Sequence, residues 1–357
     1  MMHETKLGMK HISFCLGLLL MLSACSTDID LYADYKQVPV VYGLLDANAD
    51  TNFIKITRAF HVEGDAYQAA LNPDSSNYPG KLDVRLVEYC NGDSIREIVL
   101  DTVTIHDKAP GVFYAPAQKL YYTTEPLCQN ASGKIYSYRL KVVLPERTLT
   151  TQTAMVGNSG YGIQSLGVNF SKQYFGMVPR KFLFRPATNG RFYQVTMSFT
   201  FLEQRTPDSD SVPRTMMWEV GIFNEEFCAQ NAEDNVYAFP YRPEDFYKSL
   251  TAFLGEDTAI VGLKRYIGDY PVEVSIVAGG ENLRQYVYNN DPSNGFALGD
   301  NEFSLIDGGY GVLSSRMTTK RAVRLGGETV PELVANCYWG FEFIGGKSRR
   351  PEGFENR

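Results

Sequence analysis

Tyr193-Gln-Val-Thr-Met-Ser-Phe-Thr-Phe201 alternates without a slip, with Tyr193, Val195, Met197, Phe199 and Phe201 on one side and Gln194, Thr196, Ser198 and Thr200 on the other. Successive side chains of a strand point to opposite faces, so a period of two built from bulky apolar residues predicts a half-buried β-strand. The polar run Thr206 to Arg214 then reads as a hairpin tip, and Trp218, Val220 and Ile222 as the returning strand. The same alternation recurs at Val272, Val274 and Ile276, and at Cys337, Trp339, Phe341 and Phe343 near the C-terminus.

Upstream, Tyr136, Tyr138, Leu140, Val142 and Leu144 alternate with Ser137, Arg139 and Lys141, and Leu82, Val84 and Leu86 with Asp83 and Arg85. Val38 to Leu45 and Phe53 to Arg58 flank the turn-rich Asp46-Ala-Asn-Ala-Asp-Thr-Asn52 and predict a hairpin. Asn91-Gly92-Asp93 is a second turn, followed by a strand over Ile95 to Val103. Val112 to Tyr114 and Leu120 to Tyr122 read as shorter extended pieces, and Leu149 to Ala154 as the end of this sheet. The long connection Phe60 to Pro79 has room for a helical turn or two over Asp65 to Leu71.

One helix stands out among the strands. Pro243 suits the first helical position, Glu244 and Asp245 complement the positive end of the dipole, and Gly255 can end it. Phe246, Leu250, Phe253 and Leu254 form its apolar stripe. The reading is a mainly β protein, with an immunoglobulin-like β-sandwich over 37–156 and a β-rich domain with at least one packed helix over 157–357. The glycine-bearing stretch Val156 to Val168 marks the boundary.

The N-terminus says where such a chain works. Lys6 and Lys10 precede the apolar run Ile12 to Leu22, which is too short to span a bilayer as a stable helix. Leu22-Ser23-Ala24-Cys25 matches the lipobox of bacterial lipoproteins. Residues 1–24 are thus expected to be a signal peptide cut between Ala24 and Cys25, and Cys25 the site of lipid attachment. Three acyl chains there meet the two-signal requirement for stable anchoring. Residues 25–36 read as an acidic, acylated tether carrying Asp28 and Asp30. The location implied is the outer membrane, on either its periplasmic or its outer face.

Composition narrows the function. A net charge of −7 lacks the basic footprint that nucleic acid or anionic lipid requires, leaving the acyl chains as the membrane attachment. With 23 Tyr and 21 Phe, the chain has the aromatic supply that pleated, half-buried surfaces favour. Past the signal only His61 and His106 remain, too few for a zinc cluster or a His-based acid–base site. Cys90, Cys128, Cys228 and Cys337 allow three pairings. Cys90 with Cys128 is the disulfide to test first, since an envelope location is oxidising. The alternative is that all four are small buried hydrophobes.

No reaction signature survives inspection. Asp46, Asn48, Asp50 and Asn52 spell half a calcium loop, but Thr51 and Thr57 stand where Gly and Glu are needed, so a plain turn is favoured. Asp307-Gly-Gly-Tyr-Gly311 leads into an extended run rather than a helix, so it reads as a turn and not a phosphate cradle. The acidic pairs Glu225 with Glu226 and Asp291 with Asp300 are two among 41 acidic residues and single out nothing. Arg316, Lys320, Arg321 and Arg324 read as a solvated strand or loop face, and Trp218 as core. No cofactor or metal is implied, and the chain is not expected to be an enzyme.

Three segments together resemble a known group. Val38-Pro-Val-Val-Tyr-Gly-Leu-Leu-Asp46 running into Phe53-Ile-Lys-Ile-Thr-Arg-Ala-Phe60, then Lys134-Ile-Tyr-Ser-Tyr-Arg-Leu-Lys-Val142, then Asn301-Glu-Phe-Ser-Leu-Ile-Asp-Gly-Gly-Tyr-Gly-Val312, are similar to an uncharacterised family of outer-membrane lipoproteins in Bacteroidetes-type bacteria. The chain departs from that pattern where Tyr42 intervenes before Gly43. The resemblance implies a non-enzymatic accessory of the cell envelope, often encoded beside a TonB-dependent receptor, with an outer-membrane β-barrel as partner. A surface adhesin or fibre subunit is the alternative, and an envelope hydrolase the least favoured reading. The ligand is not named by any of these residues.

Overall fold

The structure is a computed structural model, described over residues 38–60, 65–158, 160–171, 180–232, 236–255, 263–290, 304–326, 328–335 and 341–343. Ala24, Cys25, His61, Asp291, Asp300, Cys337 and Trp339 lie outside the described residues. The protein is mainly β, as its alternating sequence predicts.

The first half supplies β1 (Pro39–Asp46), β2 (Asn52–Arg58), β3 (Asp83–Cys90), β4 (Asp93–Val99), β5 (Asp101–Ile105), β6 (Gln118–Thr123), β7 (Tyr136–Val143) and β8 (Thr148–Ala154). Two short helices, α1 (Ala66–Ala70) and α2 (Pro73–Ser76), interrupt the connection from β2 to β3. Strands β4-β3-β7-β8 form one four-stranded sheet, while β1, β2, β6 and β5 belong to a second. Inward residues of both meet in one core: Val41, Leu45, Ile54 and Ile56 from β1 and β2, Tyr121 from β6, and Val84, Leu86, Tyr138, Leu140 and Val142 from β3 and β7.

Two expectations for this half are corrected. The run Ile95 to Val103 is not one strand: β4 stays in the four-stranded sheet and β5 joins β6 in the other. The switch falls at Leu100, which is 1% exposed and donates its N–H to the Val84 carbonyl (2.9 Å), so the chain is pinned in the core between the two sheets. Val112 to Tyr114 makes no strand; it belongs to a loop whose Tyr114 N–H donates to the Ala70 carbonyl at the end of α1 (2.9 Å).

The second half contributes β9 (Gly162–Ile163), β10 (Gly167–Val168), β11 (Arg180–Arg185), β12 (Phe192–Gln204), β13 (Val212–Asn224), β14 (Tyr237–Tyr241), β15 (Lys264–Ile267), β16 (Val272–Gly279), β17 (Tyr310–Leu325) and β18 (Phe341–Phe343). Its helices are α3 (Glu225–Gln230), α4 (Pro243–Leu254), α5 (Glu281–Asn289) and α6 (Thr329–Ala335). The stretch around Tyr193 is the middle of β12, paired with β13 on one side and β16 on the other. Helix α4 spans the residues its caps predict, and Gly255 ends it at a positive φ of 54°. Its Phe246 stacks on Phe170 at 3.9 Å between ring centroids, and meets Phe199 of β12 edge-on at 5.5 Å. Aromatic pairs of these geometries add to the gain from burial, which is about 1.5–3 kcal/mol for each such side chain.

Strand β17 is the splice between the halves. One edge pairs antiparallel with β16, from Val272 opposite Val323 to Gly279 opposite Arg316. The other pairs parallel with β1, from Val40 opposite Tyr310 to Asp46 opposite Arg316. The main sheet therefore runs β18-β15-β12-β16-β17-β1-β2-β6-β5 and crosses the boundary expected at 156/157 without a break. Gly311 makes the crossing close enough. It sits opposite Val41 with φ of 108°, and a Cβ there would stand 2.0 Å from the Val41 carbonyl oxygen. Only glycine takes that backbone at little cost.

Candidate functional site

Strands β1, β2 and β6 turn Val41, Leu45, Ile54 and Ile56 into the core, so their alternate residues must face outward. Those outward positions hold Val40 and Tyr42, Lys55 and Thr57, and Gln118. They form the floor of a cavity of about 670 Å³. One wall comes from the α1–α2 connection, with Phe60, Ala66, Tyr67, Ala70, Ser76 and Asn77, and the other from Lys108, Val112, Phe113, Tyr114 and Ala117. The volume lies within the range of small-molecule sites.

Local chemistry holds the walls in place. Asp65 caps α1 by accepting from the Tyr67 N–H (2.9 Å), and Asn72 caps α2 by accepting from the Asp74 N–H (3.0 Å). The Arg58 guanidinium, at the end of β2, donates to the carbonyls of Ser75 (3.3 Å) and Asp74 (2.9 Å). Lys119 donates to the carbonyls of Tyr78 and Gly80, both at 2.7 Å. These two cations thus fasten the α1–α2 connection to the sheet.

Lys55 and Lys108 differ from them. Lys55 stands on the floor, half-buried, and donates to the side-chain oxygen of Gln118 (3.2 Å). Lys108 donates to the Tyr114 carbonyl (2.6 Å) and lies 5.7 Å from the Phe113 ring centroid. Burial, and then repulsion from Lys108, holds the Lys55 ammonium below the usual lysine range. Among the described residues, no Asp or Glu lines the cavity. Gln118 in turn donates its amide to Asp107 (2.9 Å). At the rim, the Tyr42 hydroxyl meets that of Tyr286 on α5 at 3.1 Å.

The residues singled out by sequence fall elsewhere and apart. Cys90 and Cys128 are free thiols, so no bridge joins them; both interact with the hydroxyl of Tyr136. Cys228 is buried, and burial pushes its thiol up to about 12. The Asp46 to Asn52 stretch is a turn, and Asp46, Asn48 and Asn52 each use a side-chain oxygen as a hydrogen-bond or ion-pair acceptor. Asn52 accepts from the Asp46 N–H (2.8 Å), Asp46 accepts from the Asn48 N–H (3.0 Å), and the Asp46 carboxylate pairs with Arg316 (3.4 Å). Lys320 pairs with Glu273 (3.6 Å), Arg321 reaches the Ile163 carbonyl (2.9 Å) and Arg324 the Tyr270 hydroxyl (2.9 Å), so the basic cluster is dispersed along β17. Glu225 pairs with Arg191 at the start of α3, Trp218 packs in the core, and His106 is exposed.

Sequence alone does not reveal the cavity, since its lysines sit in three unrelated segments. The one signal is Lys55 and Thr57 on the outward side of an otherwise apolar hairpin. Among the described residues, no three His, Cys, Asp or Glu stand together to hold a metal ion, and no helix is long and apolar enough to cross a membrane. No protein-family model matches the chain, and no curated protein matches its sequence.

Proposed function

We propose that the chain is a lipid-anchored binding protein of the bacterial cell envelope, held at the outer membrane by acyl chains on Cys25 and acting as companion to a β-barrel receptor. It captures a small ligand and carries out no reaction. The observation that supports this is the walled, aromatic- and lysine-lined cavity on the outward face of β1, β2 and β6. The anchor rests on the basic start, apolar run and Leu22-Ser-Ala-Cys25 order of the N-terminus.

The test is fractionation followed by recovery of partners. The parent chain should sediment with outer membranes and a Cys25→Ala variant should pass to the soluble fraction. Gentle detergent extraction of the parent should bring a β-barrel receptor with it. A Cys25→Ala chain that stays as firmly membrane-bound as the parent defeats the anchor, and recovery of the lipoprotein alone defeats the companion role. A fibre subunit is the second reading, favoured by strand β13, which pairs with β12 and exposes Met217 and Ile222. A strand from a second copy would add there, and sodium dodecyl sulfate-resistant ladders would be its mark.

A further inference from the structure

We propose that the cavity takes an organic anion with an apolar body, its carboxylate or phosphate head held between Lys55 and Lys108 and its hydrocarbon laid against Phe60, Tyr67, Val112 and Phe113. This rests on the binding-protein reading above and names the ligand class for that same site. Three observations carry it.

The first is the charge of the lining. In a chain of net charge −7, the cavity draws four cations, Lys55, Arg58, Lys108 and Lys119, and no carboxylate among the described residues.

The second is how those cations are used. Arg58 and Lys119 donate to wall carbonyls and fix the connection that roofs the site. Lys55 and Lys108 each carry three N–H donors and meet a neutral oxygen, the Gln118 amide for one and the Tyr114 carbonyl for the other. Both lysines line the one cavity, and repulsion from Lys108 adds to the cost of burying the Lys55 ammonium, because burial of charge is ordinarily offset by a paired opposite charge. An anion between them supplies that charge; a cation would add to the repulsion, and a neutral head would leave it as it is.

The third is the remainder of the surface. Beyond the lysines, the site presents Val40, Val112, Ala66, Ala70 and aromatic rings, with Val112 and Phe113 more than half exposed at 54% and 53%. Rings and methyl groups held open at the mouth of a cavity suit a ligand that is apolar over most of its length.

Calorimetric titration of the mature chain lacking its acyl groups tests this, using four twelve-carbon probes below their micelle concentrations: dodecanoate, dodecyl phosphate, dodecanol and dodecyltrimethylammonium. The anions should bind at least about tenfold more tightly than the alcohol, the expected effect of one charge-assisted hydrogen bond, and the cation should bind worst. A preference for dodecanoate assigns free carboxylic acids, and for dodecyl phosphate, phosphorylated heads. Lys55→Met and Lys108→Met should each remove the preference for anions while leaving the alcohol's affinity in place, and Lys55→Arg should keep it. Melting temperatures of the variants guard against misfolding. Equal binding of all four probes overturns the head-group assignment alone. Absence of binding by every probe overturns the binding-site reading itself.

Discussion

Replacing Gly311 by Ala should loosen the join between the two halves of the molecule. The added Cβ would stand 2.0 Å from the Val41 carbonyl oxygen and 2.9 Å from its carbon, where contacts below 3.0 Å are essentially never found. The β1–β17 ladder must therefore open locally by about an ångström, with about two of its hydrogen bonds weakened at about 0.5–1.5 kcal/mol each. The φ of 108° adds roughly 1–3 kcal/mol, since an L-residue is strained there. The middle of the summed range is about 4 kcal/mol. Unfolding entropy of about 2.1 cal/mol/K per residue, taken over roughly 300 residues, converts this into a melting point lowered by about 6 °C. Gly92→Ala is the control. Its φ of 97° is similar, but nothing lies within 4 Å of the new Cβ, so the strain acts alone and the loss should be about 3 °C, half that of Gly311→Ala. Scanning calorimetry of both variants beside the parent decides the matter. A Gly311→Ala protein that melts with the Gly92→Ala protein would mean that Gly311 does not lie against Val41 and that β1 and β17 pair in some other register.

Glu88 offers a test by pH. Its carboxylate is 1% exposed and accepts from Arg96 at 2.8 Å and from the Tyr138 hydroxyl. Burial, the largest single effect, acts to raise its pKa, but hydrogen bonds from Arg96 and Tyr138, the Arg96 charge and Cys128 together hold it below the usual carboxylate range. A folded-state pKa below the unfolded value of about 4.3 means that the stabilisation is present above that pH and fades as the pH falls through the folded value. Glu88→Gln should therefore cost about 2 kcal/mol at pH 7 in urea titrations. The deficit should shrink steadily on acidification below pH ~4, and a deficit constant with pH would refute the charged contact. In the second core, Phe246→Ala removes the ring stacked on Phe170 and should cost about 3–5 kcal/mol, read from the urea midpoint. A loss under about 1 kcal/mol would mean that α4 does not pack as described.

The parts of this fold legible in the sequence are those that local chemistry decides. The alternation through Tyr193 to Phe201 could only bury one face of a strand, and Pro243, Glu244, Asp245 and Gly255 set both ends of α4. What escaped was decided at a distance. Nothing in Val40 to Asp46 names Tyr310 to Arg316 as its parallel partner, because register between strands so far apart lies in the complementarity of two faces and not in either segment. Leu100 looks like any apolar strand residue, yet it marks the change of sheets. The cavity was hidden for the same reason: Lys55, Lys108 and Lys119 acquire a common meaning only when a hairpin, a loop and a sheet strand meet. Cys90 and Cys128 show the reverse case, since they do come together at Tyr136 while remaining thiols.

The long reach from β1 to β17 also sets a timetable. Strand β1 cannot complete its edge until Tyr310 to Arg316 have been made, so the core it helps to build must wait on a segment far along the polypeptide. Contacts of such separation slow folding, because loop closure has to be met before any pairing rewards it.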